Sequence, residues 1–260
     1  MSRERQRNPR FRLGMVVALP GEAQAMLGRR DWVRHGELDL CSVEAPVGAE
    51  ILWVRCGIGC ERAAAAAALL VERGATHIGI AGVSGGLDPE LTSGRVVIAT
   101  DVVDENGRHW PVDFAFSTAL ADRFGKRGKL GPVLTATKPL LSVEHKAFWH
   151  EHSGALAVDM ESVAVARVAA TACRPFFAMR AVCDAAGRAV PEAMLAMVDD
   201  FGRPRILKLL CTLLRRPWLA GPLLRMQGDF HRALRGLADG WPACRSLFAI
   251  DFDQGRKGYG

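Results

Sequence analysis

The sequence predicts an α/β protein, a single domain with a mixed central β-sheet flanked by helices. Three observations lead there. Strand-like runs alternate with helix-like ones along the chain. The strand-like runs are apolar throughout rather than at every second position, as in sheets covered on both faces. Glycine turns recur where a strand gives way to a helix, in "CGIGCER" and "AGVSGGL". A chain of 260 residues can build one large domain with a substantial core, although length alone would also permit two.

The elements follow in order. "RLGMVVALPGEAQAML" predicts a strand to Leu19, a Pro-Gly turn and a helix from about Glu22. "EILWVRCGIGCERAAAAAALLVERGAT" repeats the pattern: a strand over Ile51–Arg55, a glycine turn, and an alanine-rich helix to Arg73, capped by Gly74. "HIGIAGVSGGL" is a strand entering a glycine turn, and "RVVIAT" and "GPVLTAT" are short branched strands. A helix is expected from about Met160 to Cys173, a break at Pro175, and a last strand at "FFAMRAVCD". Residues 1–12, with Arg3, Arg5, Arg7, Arg10 and Arg12, read as a flexible basic arm; residues 13–250 form the domain, and 251–260 a frayed tail.

Composition narrows the class. The chain is 49% hydrophobic and 24% charged, with a net charge of +6, as expected of a basic globular protein. Seven scattered cysteines, with no CxxC pair and no ligand-like spacing to histidine, point to reduced thiols and a cytoplasmic setting, with no metal site. No signal peptide and no run of about twenty apolar residues is visible.

Sites in such sheets lie beyond the carboxyl ends of the strands. Glu22, the Gly57–Gly59 turn, the Ser84–Gly86 turn and Asp184 all fall at such ends, and Asp159, Met160 and Glu161 open a helix in an apolar stretch. Carboxylates in so apolar a setting are costly unless paired or used. "CGIGCER" begins like a dinucleotide fingerprint, but Arg62 stands where the third glycine belongs. It is either a tight turn or a cradle of backbone N–H groups for an anion or a sugar.

"GMVVALPGE", "CGIG", "AGVSGGL", "AVDMES" and "RAVCD" occur in the order seen in the nucleoside phosphorylase and nucleosidase superfamily, and the likeness covers roughly residues 12 to 200. The chain most resembles the hopanoid-associated phosphorylases and the related methylthioadenosine/adenosylhomocysteine nucleosidases. The resemblance implies a phosphorylase/hydrolase-like three-layer sandwich that cleaves the N-glycosidic bond of an adenosyl compound and releases adenine. It makes Glu22 the base that activates water and Asp184 the acid that protonates the purine at N7. Met160 and Glu161 become the ribose site, and Gly57, Gly59, Ser84, Gly85 and Gly86 the loops that hold phosphate, water or ribose. Cys183 lines the base pocket, where the family usually places Ser or Thr. The resemblance also implies a homo-oligomer and no organic cofactor, with phosphate as an optional co-substrate. The residues have plainer alternatives: Glu22 as a first-turn helix acid, Met160 as core, Glu161 as a solvated helix residue and Asp184 as a turn former. His109, Trp110 and His145 are expected on solvated loops.

The segment 203–227 has its own signature. No acid occurs between Asp200 and Asp229, while Arg203, Arg205, Lys208, Arg215, Arg216 and Arg225 do. On a helix from about Pro204, residues 206, 209, 210, 213 and 214 form an apolar face opposite Lys208, Thr212, Arg215 and Arg216; Pro217 and Pro222 then break the chain. Such a helix, with Trp218 beside it, suits peripheral contact with an anionic membrane, here the inner face; the alternative is a last domain helix with a solvated basic face. Aromatic residues are too few among the leucines for a nucleic-acid partner. An adenosyl lipid such as adenosylhopane would need both a nucleoside site and a means of meeting a bilayer.

Overall fold

The computed structural model describes residues 12–44, 50–192, 216, 218 and 220–257. The chain starts with β1 (Arg12–Val17) and α1 (Pro20–Leu27). The antiparallel run β2 (Val33–His35), β3 (Leu38–Glu44) and β4 (Glu50–Arg55) leads into α2 (Cys60–Glu72). Then come β5 (His77–Gly86), β6 (Val96–Asp104), β7 (His109–Pro111), α3 (Phe114–Phe124), a 3-10 turn at Gly125–Arg127, and β8 (Gly128–Thr135). The site-bearing stretch follows: α4 (Val143–Ser153), β9 (Ala157–Asp159), α5 (Ser162–Thr171) and β10 (Phe176–Asp184). A long helix, α6 (Ala220–Lys257), completes the described chain.

All ten strands among the described residues join one mixed sheet. β4, β1, β5 and β10 run parallel as neighbours, so their carboxyl ends share one edge. β10 also pairs with β6, β6 with β8, β8 with β9 and β9 with β5, so these five strands close into a ring. Two apolar layers cover the sheet. On one face α2 and α5 pack with Ala66, Ala67, Leu70, Val165 and Ala169 over Ile78, Ile80 and Ala178. On the other, α1, α3 and α6 pack over Met15, Trp53, Ile98 and Met179. This is the three-layer arrangement that the sequence predicts.

The element ends differ in places, for local reasons. β1 stops at Val17 because the amides of Ala18 and Leu19 donate to the Glu22 carboxylate rather than to a strand, and the helix then begins at Pro20. Pro222 does not break α6, since it lies in the first turn, where a proline forfeits no helical hydrogen bond. α6 also continues through residues 251–257, where the composition suggests a frayed tail. Arg12, assigned to the arm, pairs with Glu50 as the first residue of β1. The amphipathic helix expected from Pro204 to Arg215 lies outside the described residues.

α6 is held by a stripe at helical spacing. Ala233, Leu237, Trp241, Cys244 and Phe248 are all buried against the sheet and α3. Trp241 meets Trp53 edge to face, with centroids 4.6 Å apart. Gly240 leaves room for the Phe124 ring, which any Cβ there would overlap. Trp241→Ala should therefore cost about 3–5 kcal/mol of stability, the usual range for a buried tryptophan. Urea unfolding followed by circular dichroism measures it.

Candidate functional site

At the shared carboxyl edge a cavity of about 250 Å³ opens. Its walls include Glu22, Ser84, Gly85, Asp159, Met160, Glu161, Cys183 and Asp184, together with Leu19, Ile58, Lys138 and Val190. Residues more than 160 positions apart in sequence thus meet in one concave site. Gly57, Gly59 and Gly86 are not among its lining residues. The Gly57 amide donates to the Ala18 carbonyl and the Gly59 amide to Glu161 Oε1 at 3.0 Å, so neither of these N–H groups is free to cradle an anion. Gly86 pairs with Ala157 of β9. His109 is hydrogen-bonded to Asp101, and His109, Trp110 and His145 are not among the lining residues.

Glu22 is a first-turn helix acid and a cavity wall at once. Its Oε2 accepts from the amides of Ala18 (3.1 Å) and Leu19 (2.8 Å), the second reaching back over the helix start in the manner of a capping box. Its Oε1 accepts from Val83 N–H at 2.8 Å, tying α1 to β5. The side chain is buried, and burial raises its pKa; these amides and the Arg180 guanidinium oppose the rise.

Arg180 is the basic residue that organises the acids. It points from β10 into the interior and is 1% exposed. Its Nε lies 2.6 Å from Asp159 Oδ2 and its Nη2 3.7 Å from Glu161 Oε2. The same group donates to Ser162 Oγ at 3.2 and 3.0 Å. Gly82, opposite Arg180 in the β5–β10 register, makes the approach to Glu22 possible. A Cβ on Gly82 would sit 2.7 Å from both Arg180 Nη1 and Glu22 Oε1. Asp159 is further held by Thr135 Oγ1 at 2.7 Å, by the amides of Glu161 and Ser162, and by Ser162 Oγ.

Three buried carboxylates, Glu22, Asp159 and Glu161, therefore face one guanidinium. The excess negative charge favours retaining a proton. Burial pushes Glu161 up to about 7, Asp159 adds to the rise, and Arg180 opposes it.

Asp184 ends β10 at a bulge. Val182 pairs with Ser84 and Asp184 with Gly85, so Cys183 is the extra residue, and the bulge sets the acid opposite the glycine turn. Burial raises the Asp184 pKa, and Lys146 pulls it down. That lysine, on α4, is wholly buried, and its Nζ lies 2.5 Å from Asp184 Oδ2. Cys183 is partly buried beside the acid, and burial pushes its thiol up to about 12, so it remains neutral. Arg180 and Lys146 are the residues that sequence reasoning passes over. The lone arginine inside the apolar run "FFAMRAVCD" is a usable signal, whereas nothing in "SVEHKAFWHEH" marks Lys146.

Residues 12–215 match the family model described as the phosphorylase superfamily. The chain belongs to the phosphorylase superfamily. Curated relatives in it include the 5'-methylthioadenosine/S-adenosylhomocysteine nucleosidases of Mycobacterium bovis and Mycobacterium tuberculosis. Each is 28% identical over 222 residues, spanning 67% of this chain and 86% of the relative. Solved structures share the fold. The corresponding nucleosidase of Helicobacter pylori superposes with a TM-score of 0.70 at 16% identity, over 90% of this chain and 97% of that one. Helicobacter pylori futalosine hydrolase gives 0.70 at 15% identity over 90% and 97%. The nucleosidase of Neisseria meningitidis gives 0.67 at 20% over 92% and 98%. The phosphorylase superfamily member described here is accordingly a nucleoside-cleaving enzyme acting at an N-glycosidic bond. Among its described residues no helix is long and apolar enough to cross a membrane, and no group of three or more His, Cys, Asp or Glu residues is placed to hold a metal.

The buried acids set a pH dependence. Glu161 has a pKa of about 7 in the folded chain against an ordinary 4.5, so the folded state binds the extra proton. The contribution of Glu161 to stability should be fully present below the ordinary value and be lost as pH rises through this window, by up to about 1.4 kcal/mol per unit of displacement. Glu161→Gln, which cannot ionise, should lose that part of the slope. Melting temperatures of the two proteins measured from pH 4.5 to pH 8 check it.

Proposed function

We propose that the enzyme hydrolyses an adenosyl compound, water replacing adenine at C1′. The observation that carries this reading is the convergence of Glu22, Met160, Glu161 and Asp184 on one cavity. Breaking the C1′–N9 bond sends its electron pair into the purine and leaves the ribose ring cationic. Asp184 gives its proton to N7 of the departing base. Glu161 accepts hydrogen bonds from the ribose hydroxyls and faces the cationic ring, with Met160 packed beside it. Water attacks C1′ and passes a proton to Glu22. Solvent then removes that proton and reprotonates Asp184, so atoms and charge balance. Burial raises the pKa of both acids above the ordinary carboxylate value, the direction that favours a proton-carrying acid.

Water is favoured over phosphate as nucleophile by the charge of the site. Lys138 is the one basic side chain among the described lining residues, against four carboxyl groups. Two amides of the Gly57–Gly59 turn are spent within the protein. Among the described lining residues a phosphate dianion would therefore meet one ammonium group and four carboxyl groups.

The preferred substrate in this reading is an adenosyl lipid, adenosylhopane, met at the surface of an anionic membrane. Support comes from the motif resemblance and from the residues at and just before the start of α6. Trp218 and Leu224 are 68% and 69% exposed there. Pro222, Arg225 and Met226 wall a second cavity of about 270 Å³ that shares Asp184 and Val190 with the first. The second reading, methylthioadenosine or adenosylhomocysteine, is favoured by the activity named for the mycobacterial relatives. A non-catalytic binding role has against it the presence of both proton-transfer acids.

Adenine release decides among these. Asp184→Asn should lose about 10²–10⁴-fold in kcat with the fold intact. Glu22→Gln should lose a comparable factor, and the wild-type rate should not respond to phosphate. A rate that rises with phosphate makes the enzyme a phosphorylase. Comparing kcat/KM for adenosylhopane in anionic vesicles with that for methylthioadenosine in solution separates the two substrate classes, and no release from either leaves the binding role.

A further inference from the structure

Lys146 has no part in the chemistry above, yet it is a buried cation held against one of the acids that carry it. It is wholly buried, and an ammonium group taken out of water carries a penalty of several kcal/mol unless it is fully satisfied. Its three partners all belong to one stretch of chain: Asp184 Oδ2 at 2.5 Å, the Ala185 carbonyl at 3.2 Å and the Arg188 carbonyl at 2.9 Å. An ammonium has three donors, so this one has none left for a substrate. The turn it grips is closed on itself by the Arg188 amide, which donates to the Ala185 carbonyl. The Val190 amide joins it to Leu141, just before α4, and the Arg188 guanidinium pairs with the buried Asp229 of α6. A purely structural filler between α4 and β10 would be apolar; a saturated ammonium aimed at the acid is a different solution.

We propose that Lys146 is the positioning residue of the proton donor: it fixes the Asp184 carboxyl group at the cavity wall and balances the charge that Asp184 acquires when the purine leaves. The inference rests on Asp184 being that donor. The step is simple in its accounting. The C1′–N9 electron pair moves to the base, the Asp184 proton moves to N7, and the carboxylate so formed lies against an ammonium that keeps its own three protons. The charged groups closest to Asp184 are Lys146 from α4 and Arg188 from its own loop; α6 adds Arg225 and the Arg188-paired Asp229 on the second cavity, Glu22, Asp159 and Glu161 line the first cavity with it, β5 presents Ser84 and Gly85, and the neighbouring Cys183 stays neutral. Removing the ammonium leaves Asp184 buried with one fewer positive neighbour. Its pKa then rises, so the acid form persists to higher pH.

The test is Lys146→Met, read as the pH profile of kcat for adenine release, with a melting curve to establish folding. Loss of position typically costs up to about 10²-fold. The expected result is a drop in kcat of this order, with the alkaline limb moved upward by about 1–3 units. In an Asp184→Asn background the same change should alter kcat by less than about twofold, because the two residues act as one unit. Should Lys146→Met not fold, Lys146→Gln keeps donors for the two carbonyls, removes the charge and is read the same way. A folded variant with near-normal kcat and an unmoved limb overturns the proposal, as does an equal loss in both backgrounds. If Asp184→Asn itself keeps full activity, the fault lies with the assignment of the donor rather than with its positioning.

Discussion

One guanidinium surrounded by carboxylates governs this structure. Arg180 cannot be buried alone, and Asp159, Glu161 and Glu22 cannot be buried together without it. Each of these residues comes from a different element or junction, so satisfying the charge fixes how β10, β9, the start of α5 and α1 meet. The apolar layers on both faces supply the driving force for collapse, but they would tolerate small slips. The ionic cluster does not, because a displaced carboxylate would leave a buried charge unpaired.

The sheet converts that demand into a site. Parallel β4, β1, β5 and β10 deliver their following residues to one edge, and ring closure through β6, β8 and β9 brings Asp159 and Glu161 to the same place from the other direction. The bulge at Cys183 then turns Asp184 toward the cavity. The result is a graded set of acids. Asp159 is fully engaged by Arg180, Thr135 and Ser162, Glu161 and Glu22 are partly compensated, and Asp184 is paired with a buried lysine of α4. Such grading lets chemically similar side chains hold different protonation states in one small volume.

Much of this was legible in the chain. β10 was recognisable to the residue, because a doubly covered strand is a continuous apolar run, here interrupted only by Arg180 and ended by an acid, and β4 and α2 were nearly so. β2, β3 and β7 escaped notice, being short or partly exposed strands on the periphery with no such run. α4 lacks an apolar stripe, and its chief contribution is a lysine, which sequence reasoning assigns to solvent. α6 was obscured by Pro222, whose place in the first turn only the fold reveals. Of the residues at the cavity, Glu22, Glu161 and Asp184 could be picked out in advance by their places at strand and helix ends, whereas Met160 and Cys183 came only through the motif resemblance. Arg180 left only the signal of a lone arginine in an apolar run, and Lys146 left none, because a buried cation is defined by partners that only tertiary structure brings near.

Gly82 gives the ionic cluster its reach. Hydrogen in place of a methyl group there is what lets the guanidinium of one strand come up to the carboxylate of a helix across the sheet. The position is therefore under a constraint that neither backbone conformation nor substrate contact imposes. A change to alanine, ordinarily the mildest of replacements, would act as a spacer between charges. Loss of function in a natural variant at this position would be invisible to any inspection limited to the residues that touch the ligand.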